Sequence, residues 1–194
     1  QLLTHPHTDP NQADKDGFTP LLLAADNDKV AVIKELLAHP RTDPNKGHQK
    51  YGGTPLEGAA KLGHTDVVDQ LLADPRTDPN LASGILEETP CHVASAKGHI
   101  EVVKLLITRD VDLNKTDKFG RTPCYGAAKN GHANTVRLLI KHGADPNKAR
   151  GYSKTHDSEA TPLWIAAKNG HARVVCVLVE KGADRTKAAE NGTT

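Results

Sequence analysis

Apolar side chains recur along this chain in short blocks with the spacing of an α-helix. Each block holds two adjacent apolar residues followed by a second pair three or four positions later, so one face of the helix becomes apolar. The clearest blocks are Val67, Val68, Leu71 and Leu72, and then Val102, Val103, Leu105 and Leu106. The pattern predicts short amphipathic helices that bury one face against a neighbour.

A Thr-Pro pair marks the start of five further predicted helices. A threonine side chain caps free N–H groups at a helix start, and proline at the first helical position loses no hydrogen bond. Successive prolines of these pairs lie 35, 35, 33 and 39 residues apart, so the pairs mark a repeating unit. The pairs are Thr19-Pro20, Thr54-Pro55, Thr89-Pro90, Thr122-Pro123 and Thr161-Pro162.

Each unit continues in the same order. Small residues follow in the first helix, and a Gly-His turn leads into the apolar second helix. The second helix stops at a glycine such as Gly143 or at a proline such as Pro75. Turn-forming residues such as those of 145–147 then predict a projecting hairpin loop, or finger. The Gly-His turns are Gly63-His64, Gly98-His99, Gly131-His132 and Gly170-His171.

Some copies depart from this pattern. Asp28 and Lys29 replace Gly-His in the first copy, which allows a different turn there. Glu87 and Glu88 replace the hairpin glycine of the third copy. The polar connection between Lys148 and Glu159, with Tyr152 and His156, predicts an enlarged finger.

The repeating unit resembles the ankyrin repeat. The clearest copy runs from Asp117 through Thr122-Pro123 to His132 and continues over residues 138–147. The resemblance covers essentially the whole chain, and it implies an all-α solenoid of stacked helix-turn-helix units with β-hairpin-like loops. It also implies protein–protein recognition through the finger tips and the face of the first, inner helices.

We therefore predict a single ankyrin-repeat domain over residues 1–194. A partial repeat occupies residues 1–14, and residues 190–194 begin a further one. The complete or nearly complete repeats lie at about 15–48, 49–83, 84–116, 117–149 and 157–189.

Composition narrows the classes of function. Charge is nearly balanced, with 25 Lys and Arg against 24 Asp and Glu, so we expect no nucleic-acid partner. No signal peptide and no long apolar run are visible, so we expect no membrane partner. Three cysteines are too few for a disulfide framework, which favours an intracellular location, cytoplasmic or nuclear. Because methionine is absent, we interpret the chain as a piece of a longer protein.

The histidines do not predict a metal site. Stacked helices lie ~8–10 Å apart, whereas zinc requires nitrogen ligands at ~2.0–2.1 Å. Histidines at equivalent positions of successive units therefore cannot share an ion. A turn-closing hydrogen bond is the role predicted for His64, His99, His132 and His171.

The cysteines do not predict a catalytic site. Cys91 and Cys124 stand where other copies have leucine, and Cys176 lies among valines, so all three are predicted to be core residues. No phosphate loop, paired carboxylates or Ser/His/Asp arrangement stands outside the repeat pattern. We predict no enzymatic activity, no catalytic residues, no cofactor and no metal.

Aromatic and charged residues suggest the contact surface. All six aromatic residues fall outside the aliphatic core positions, and interfaces are enriched in such residues, although any one of them can simply pack on a neighbouring hairpin. Lysines recur at the inner-helix ends at Lys61, Lys97, Lys129 and Lys168, whereas the first copy has Asp26 and Asn27 there. This row, positive over most of its length, predicts a groove for an acidic or helix-C-terminal partner, or an ordinary solvated face. The predicted partner-binding residues are Lys15, Asp16, Phe18, Lys50, Tyr51, Lys61, Leu62, Lys118, Phe119, Arg121, Tyr125, Lys129, Trp164 and Lys168.

Three classes of function follow. The leading prediction is a scaffold or adaptor that binds a partner protein. The second is the recognition arm of a larger enzyme or effector whose catalytic domain lies outside this segment. The third is a self-assembling structural array, because both ends lack polar capping repeats and exposed end faces can associate end to end.

Overall fold

The structure is a computed structural model that describes residues 9–148 and 160–186. Over these ranges, ten helices follow one another in pairs, and we number the repeats one to five by pair. The first helices are α1 (Pro20–Asp26), α3 (Pro55–Leu62), α5 (Pro90–Lys97), α7 (Pro123–Lys129) and α9 (Pro162–Lys168). The second helices are α2 (Val30–Ala38), α4 (Thr65–Ala73), α6 (Ile100–Ile107), α8 (Ala133–Lys141) and α10 (Ala172–Glu180).

Every first helix begins as the Thr-Pro pairs predict. In α7, for example, the Thr122 hydroxyl accepts the backbone N–H of Tyr125 at 3.1 Å, and Pro123 is the first helical residue. The same bond caps the other four first helices. These starts could be predicted because the capping bond involves only residues adjacent in sequence.

The turn between the helices of a pair needs a left-handed residue. Gly98 takes φ of +74°, and a Cβ placed there would lie 2.5 Å from Nδ1 of His132, so space as well as φ requires glycine. In repeat one, Asp28 takes φ of +56° and supplies the same conformation. The departure at Asp28 therefore leaves the handedness of the turn unchanged.

The helices form two layers with the core between them. The first helices pack side by side in chain order as the inner layer, and the second helices form the outer layer in the same way. Fully buried residues such as Leu56, Val67 and Leu106 fill the space between the layers. This architecture confirms the predicted all-α solenoid.

In the described part of the chain, fingers precede the inner helices α1, α3, α5 and α7. The described fingers end in tips at residues 14–18, 48–53, 83–88 and 117–121. Over the described residues the strand character is limited to one isolated antiparallel bridge, between Ser83 and Glu88. The enlarged finger predicted around Tyr152 and His156 lies outside the described residues, as do 1–8 and 187–194.

A ladder of asparagine side chains joins successive repeats. The Asn45 side chain donates to the Arg76 carbonyl at 2.7 Å and accepts the Asp78 N–H at 2.9 Å, both in the following repeat. Each asparagine therefore satisfies two backbone groups that would otherwise lack partners. The same two bonds are made by Asn11, Asn80, Asn114 and Asn147.

A second ladder uses the histidines of the turns, and it corrects the predicted turn-closing bond. The His132 ring Nε2 lies 3.1 Å from the Ala96 carbonyl oxygen, at the end of the preceding inner helix. The bond thus crosses between repeats and does not close its own turn. The equivalent contacts join His64 to Asp26, His99 to Lys61 and His171 to Lys129.

Candidate functional site

The finger tips lie against one another and form a continuous edge. The Gln49 N–H donates to the Gly17 carbonyl at 3.0 Å, which joins the first two tips. A Cβ on Gly52 would lie 3.2 Å from the Gly84 nitrogen, so the second and third tips are in close contact. Further along, Lys118 donates its backbone N–H to the Leu86 carbonyl at 3.1 Å.

Exposed apolar side chains concentrate along this edge. Tyr51 is 51% exposed, Ile85 64% and Phe119 37%, and Leu62 at the end of α3 is 50% exposed. Ile85 and its neighbour Leu86 were not among the predicted contact residues, because that prediction rested mainly on aromatic and charged residues. Two adjacent aliphatic residues in an otherwise polar finger were the signal that could have revealed them.

Several predicted charged residues also lie on the tips. Lys15, Asp16 and Lys50 are exposed. Lys118 is exposed too, and its ammonium donates to the Ile85 carbonyl at 2.5 Å. Arg121 differs, because its guanidinium is only partly exposed and lies 2.5 Å from the Asp117 carboxylate. The ion pair of Arg121 with Asp117 therefore stabilises the finger to which both residues belong.

The predicted lysine row is not regular. Lys61, Lys129 and Lys168 are exposed and each precedes a turn glycine by two residues. Lys97 instead lies directly before Gly98, so Ala96 holds the equivalent position in repeat three. The first repeat has Asp26 there. The interruption at Asp26 was predicted, but the offset of Lys97 interrupts the positive row in repeat three as well, which corrects the predicted row.

Two aromatic residues of the inner helices, Tyr125 and Trp164, are less exposed than expected. Tyr125 is 3% exposed and belongs to the core, so the expectation that all aromatic residues lie outside core positions is wrong for Tyr125. Trp164 is partly buried against the same core, and the Lys168 ammonium lies 4.6 Å from its ring centre. Both occupy the third position after a capping threonine, which we call the slot position.

The cysteines divide into two groups. Cys91 and Cys124 are buried as predicted, and burial raises the pKa of each thiol to about 12, which disfavours the reactive thiolate. Cys176 is exposed on α10, so its predicted core position is wrong. A run of adjacent apolar residues extends around a helix, and part of the run must face outward.

An open cleft lies between the inner helices of repeats one and two. Its volume is about 320 Å³, and apolar walls are supplied by Phe18, Leu22, Tyr51 and Leu62. Gly53 lies at its edge and contributes no side chain. The Glu57 carboxylate, at the slot position, accepts a hydrogen bond from the Ser83 hydroxyl in the third finger. The side chain at the slot position of repeat two therefore does not fill the cleft.

In the open cleft, one ring nitrogen of His48 and the Asp26 carboxylate lack hydrogen-bond partners among the described residues. His48 is 6% exposed, and its Nδ1 accepts the N–H groups of Lys50 and Tyr51 at 3.0 and 3.1 Å. The proton of the neutral ring must therefore be on Nε2, which is buried with no acceptor. Asp26 is the second group, and burial raises the pKa of its carboxyl while His64 and Lys61 oppose that effect.

The equivalent space between repeats three and four is a closed cleft of about 80 Å³. Tyr125 holds the slot position there, and Arg121 stands where the open cleft has Gly53. The His92 ring has partners on both nitrogens, with Nδ1 accepting the Thr89 N–H at 3.1 Å and Nε2 2.9 Å from the Arg121 carbonyl. The closed cleft is thus filled, and both ring nitrogens of His92 have partners.

In the described part of the chain, no group of three or more His, Cys, Asp or Glu side chains is placed to hold a metal ion. None of the described helices has the length and apolar character needed to cross a bilayer.

Comparison with known proteins identifies the repeats. No curated protein matches the chain. A family model for ankyrin repeats, in three copies, matches residues 1–83 and 91–189. That match covers most of the sequence and agrees with the paired helices, the capped Thr-Pro starts and the two ladders between repeats. The chain belongs to the ankyrin-repeat family.

Proposed function

We propose that this chain is a non-catalytic scaffold that binds a partner protein through the finger-tip edge and the adjoining ends of the inner helices. The observation that carries the proposal is the apolar surface on successive tips. Tyr51, Ile85, Leu86 and Phe119 are exposed on fingers that contact one another. Exposed apolar groups that are contiguous typically mark interaction surfaces, whereas isolated ones need no explanation.

The charged residues around this edge support a protein partner. Lysine side chains accompany two of the exposed rings, with Lys50 5.2 Å from the Tyr51 ring centre and Lys118 5.4 Å from that of Phe119. An apolar centre with a polar rim is the usual anatomy of a protein interface. The proposed surface comprises Lys15, Asp16, Phe18, Lys50, Tyr51, Lys61, Leu62, Ile85, Leu86, Lys118, Phe119, Lys129, Trp164 and Lys168.

An intracellular setting, cytoplasmic or nuclear, is part of the proposal. Cys91, Cys124 and Cys176 are all free thiols, and reducing compartments keep thiols in that state.

The test begins with a partner captured from native cell extract and identified by intact mass. Its affinity is then measured for the parent chain and for a triple variant, Tyr51→Ser, Ile85→Ser and Phe119→Ser. We expect the triple variant to bind at least about tenfold more weakly, because central apolar contacts dominate interface energies.

Val32→Ser is the matched control for this test. Val32 is 48% exposed, similar to the tip residues, but it lies on α2 in the outer layer. The control should bind as the parent does. Equal affinity of parent and triple variant, or an equal loss in the Val32 control, would contradict the proposed surface.

A further inference from the structure

The slot position explains why one cleft is open. In repeats three, four and five, this position carries a ring: His92, Tyr125 and Trp164 respectively. The first two are buried and the third is partly buried. Repeat two has Glu57 at the slot position, and its carboxylate bonds to Ser83. The open cleft is therefore the place between these repeats where the fold supplies no ring of its own.

The walls of the open cleft suit an aromatic ring. Phe18, Leu22 and Leu62 line the cleft and offer apolar surface to an occupant. A volume of about 320 Å³ is at the lower end of ligand-binding pockets, so it suits a single large side chain. The closed cleft shows that this chain fits a tyrosine at the equivalent place, because Tyr125 is 3% exposed there.

The polar groups of the open cleft require more than a plain ring. The Asp26 carboxylate is partly buried and makes no hydrogen bond or ion pair among the described residues. A phenol hydroxyl can donate to the carboxylate, whereas a phenyl ring cannot.

Charge disfavours the other candidates. A cationic side chain would find Asp26 but would also meet the Lys61 ammonium, which lines the same cleft. An aryl phosphate would bring negative charge to a cleft that already holds Asp26 and Glu57. A neutral hydroxyl-bearing ring meets neither conflict.

We propose that the open cleft receives a tyrosine side chain of the partner protein, with the phenol hydroxyl bonded to Asp26. The inference rests on the proposed function and specifies the chemistry of the partner. Tyrosine presents a rigid apolar ring with one polar end, which matches a cleft that has apolar walls and polar groups. The partner's tyrosine would then occupy the place that Tyr125 occupies two repeats later.

Side-chain analogues test the cleft without any protein partner. The probes are p-cresol for tyrosine, toluene for phenylalanine and n-butylammonium for lysine, titrated while methyl NMR signals are recorded. We expect p-cresol to shift the signals of Leu22 and Leu62 but not that of the distant core residue Leu139. It should bind about tenfold more tightly than toluene, because a hydrogen bond to a charged group favours the phenol.

Substitutions in the cleft sharpen the test. Asp26→Asn keeps the shape but removes the charge, so the advantage of p-cresol over toluene should fall to about threefold or less. Glu57→Tyr supplies the ring found at the slot position of repeat four and should abolish binding of both probes. Glu57→Ala is the matched control, because it removes the carboxylate without filling the cleft, and it should still bind p-cresol.

Several results would overturn the inference: equal affinities for p-cresol and toluene in the parent, tighter binding of n-butylammonium, or p-cresol binding unchanged by both Asp26→Asn and Glu57→Tyr. Because the probes need no partner, such a result would leave the finger-tip test of the proposed function intact. Conversely, a failure of the finger-tip test alongside normal p-cresol binding would refute the proposed surface and not the cleft.

Discussion

The open cleft and the closed cleft occupy equivalent places in the stack but differ in content. In the closed cleft, Tyr125 fills the slot position and Arg121 lies 3.6 Å from the Glu88 carboxylate. In the open cleft, the Glu57 carboxylate accepts a hydrogen bond from Ser83 in the third finger, and Gly53 holds the position equivalent to Arg121. A few side chains thus change the space from about 80 to about 320 Å³ while the helices keep the same order and the same threonine N-caps.

The difference shows how a repeated backbone can carry a single specific site. The residues that hold the stack recur: a capping threonine begins the inner helix of all five repeats, and a ladder asparagine follows the outer helix of repeats one to four. The residues that line the clefts do not recur, since the backbone does not depend on them. Differences between equivalent positions are therefore informative about binding, whereas agreement is informative about stability.

The largest effect is expected when the closed cleft is opened. Tyr125→Ala should lower the free energy of unfolding by about 3–5 kcal/mol, because it removes a buried ring and leaves a cavity. Urea unfolding followed by circular dichroism measures this change. Tyr51→Ala is the control, and a loss below about 1 kcal/mol is expected because that ring is 51% exposed. Similar losses in the two variants would show that Tyr125 is not the support of its cleft.

An intermediate effect is expected when the open cleft is filled. Glu57→Tyr should raise the free energy of unfolding by about 1 kcal/mol, since new apolar burial outweighs the lost bond to Ser83. Glu57→Ala should instead lower it by about 1 kcal/mol, because only the bond is lost. Thermal melts of the two variants beside the parent provide the measurement. If the tyrosine variant is no more stable than the alanine variant, the cleft does not accept a ring.

The smallest effect concerns the charge in the open cleft and depends on pH. Burial raises the pKa of Asp26 in the folded chain, so its ionised form costs stability at neutral pH. Asp26 is also the last residue of α1, where the helix dipole disfavours a negative charge. Asp26→Asn should therefore stabilise the chain at pH 7 by less than about 1 kcal/mol.

The sign of this effect can be checked by lowering the pH. The gain should shrink as pH falls toward about 3.9, the ordinary pKa of aspartate, because the parent residue then also becomes neutral. A gain that grows on acidification would contradict the assignment of Asp26 as an unpaired, desolvated carboxylate. Denaturant midpoints at several pH values give the comparison.

The fold could be predicted from the sequence because its determinants are local. A threonine caps the helix that starts at the next residue, and a left-handed turn residue such as Gly98 ends it. These features recur at a nearly constant spacing, so the stack of repeats can be predicted from the sequence. Even the altered turn at Asp28 follows the same conformation, because aspartate tolerates a positive φ better than most residues.

The site could be predicted only in part because it depends on side chains from different repeats. Tyr51, Phe119 and Leu62 were expected on the surface and are exposed, since finger tips and helix ends have few neighbours. Tyr125 was placed wrongly because whether a slot residue is buried depends on what faces it across the stack. The open cleft could not be predicted for the same reason. Gly53 and Glu57 indicate a cleft only when they are compared with Arg121 and Tyr125, which hold the equivalent positions in repeat four.

The two ladders also bridge the region where the spacing of the repeats is longest. Asn147 accepts the Asp184 N–H at 2.7 Å, and His171 lies 3.0 Å from the Lys129 carbonyl, so repeat five is registered on repeat four by groups on either side of 149–159. The stacking of repeats four and five therefore does not depend on the number of residues between these two bonds. That junction is consequently a place where evolution, or an engineer grafting a foreign loop, can vary length and sequence while the remainder of the array keeps its alignment.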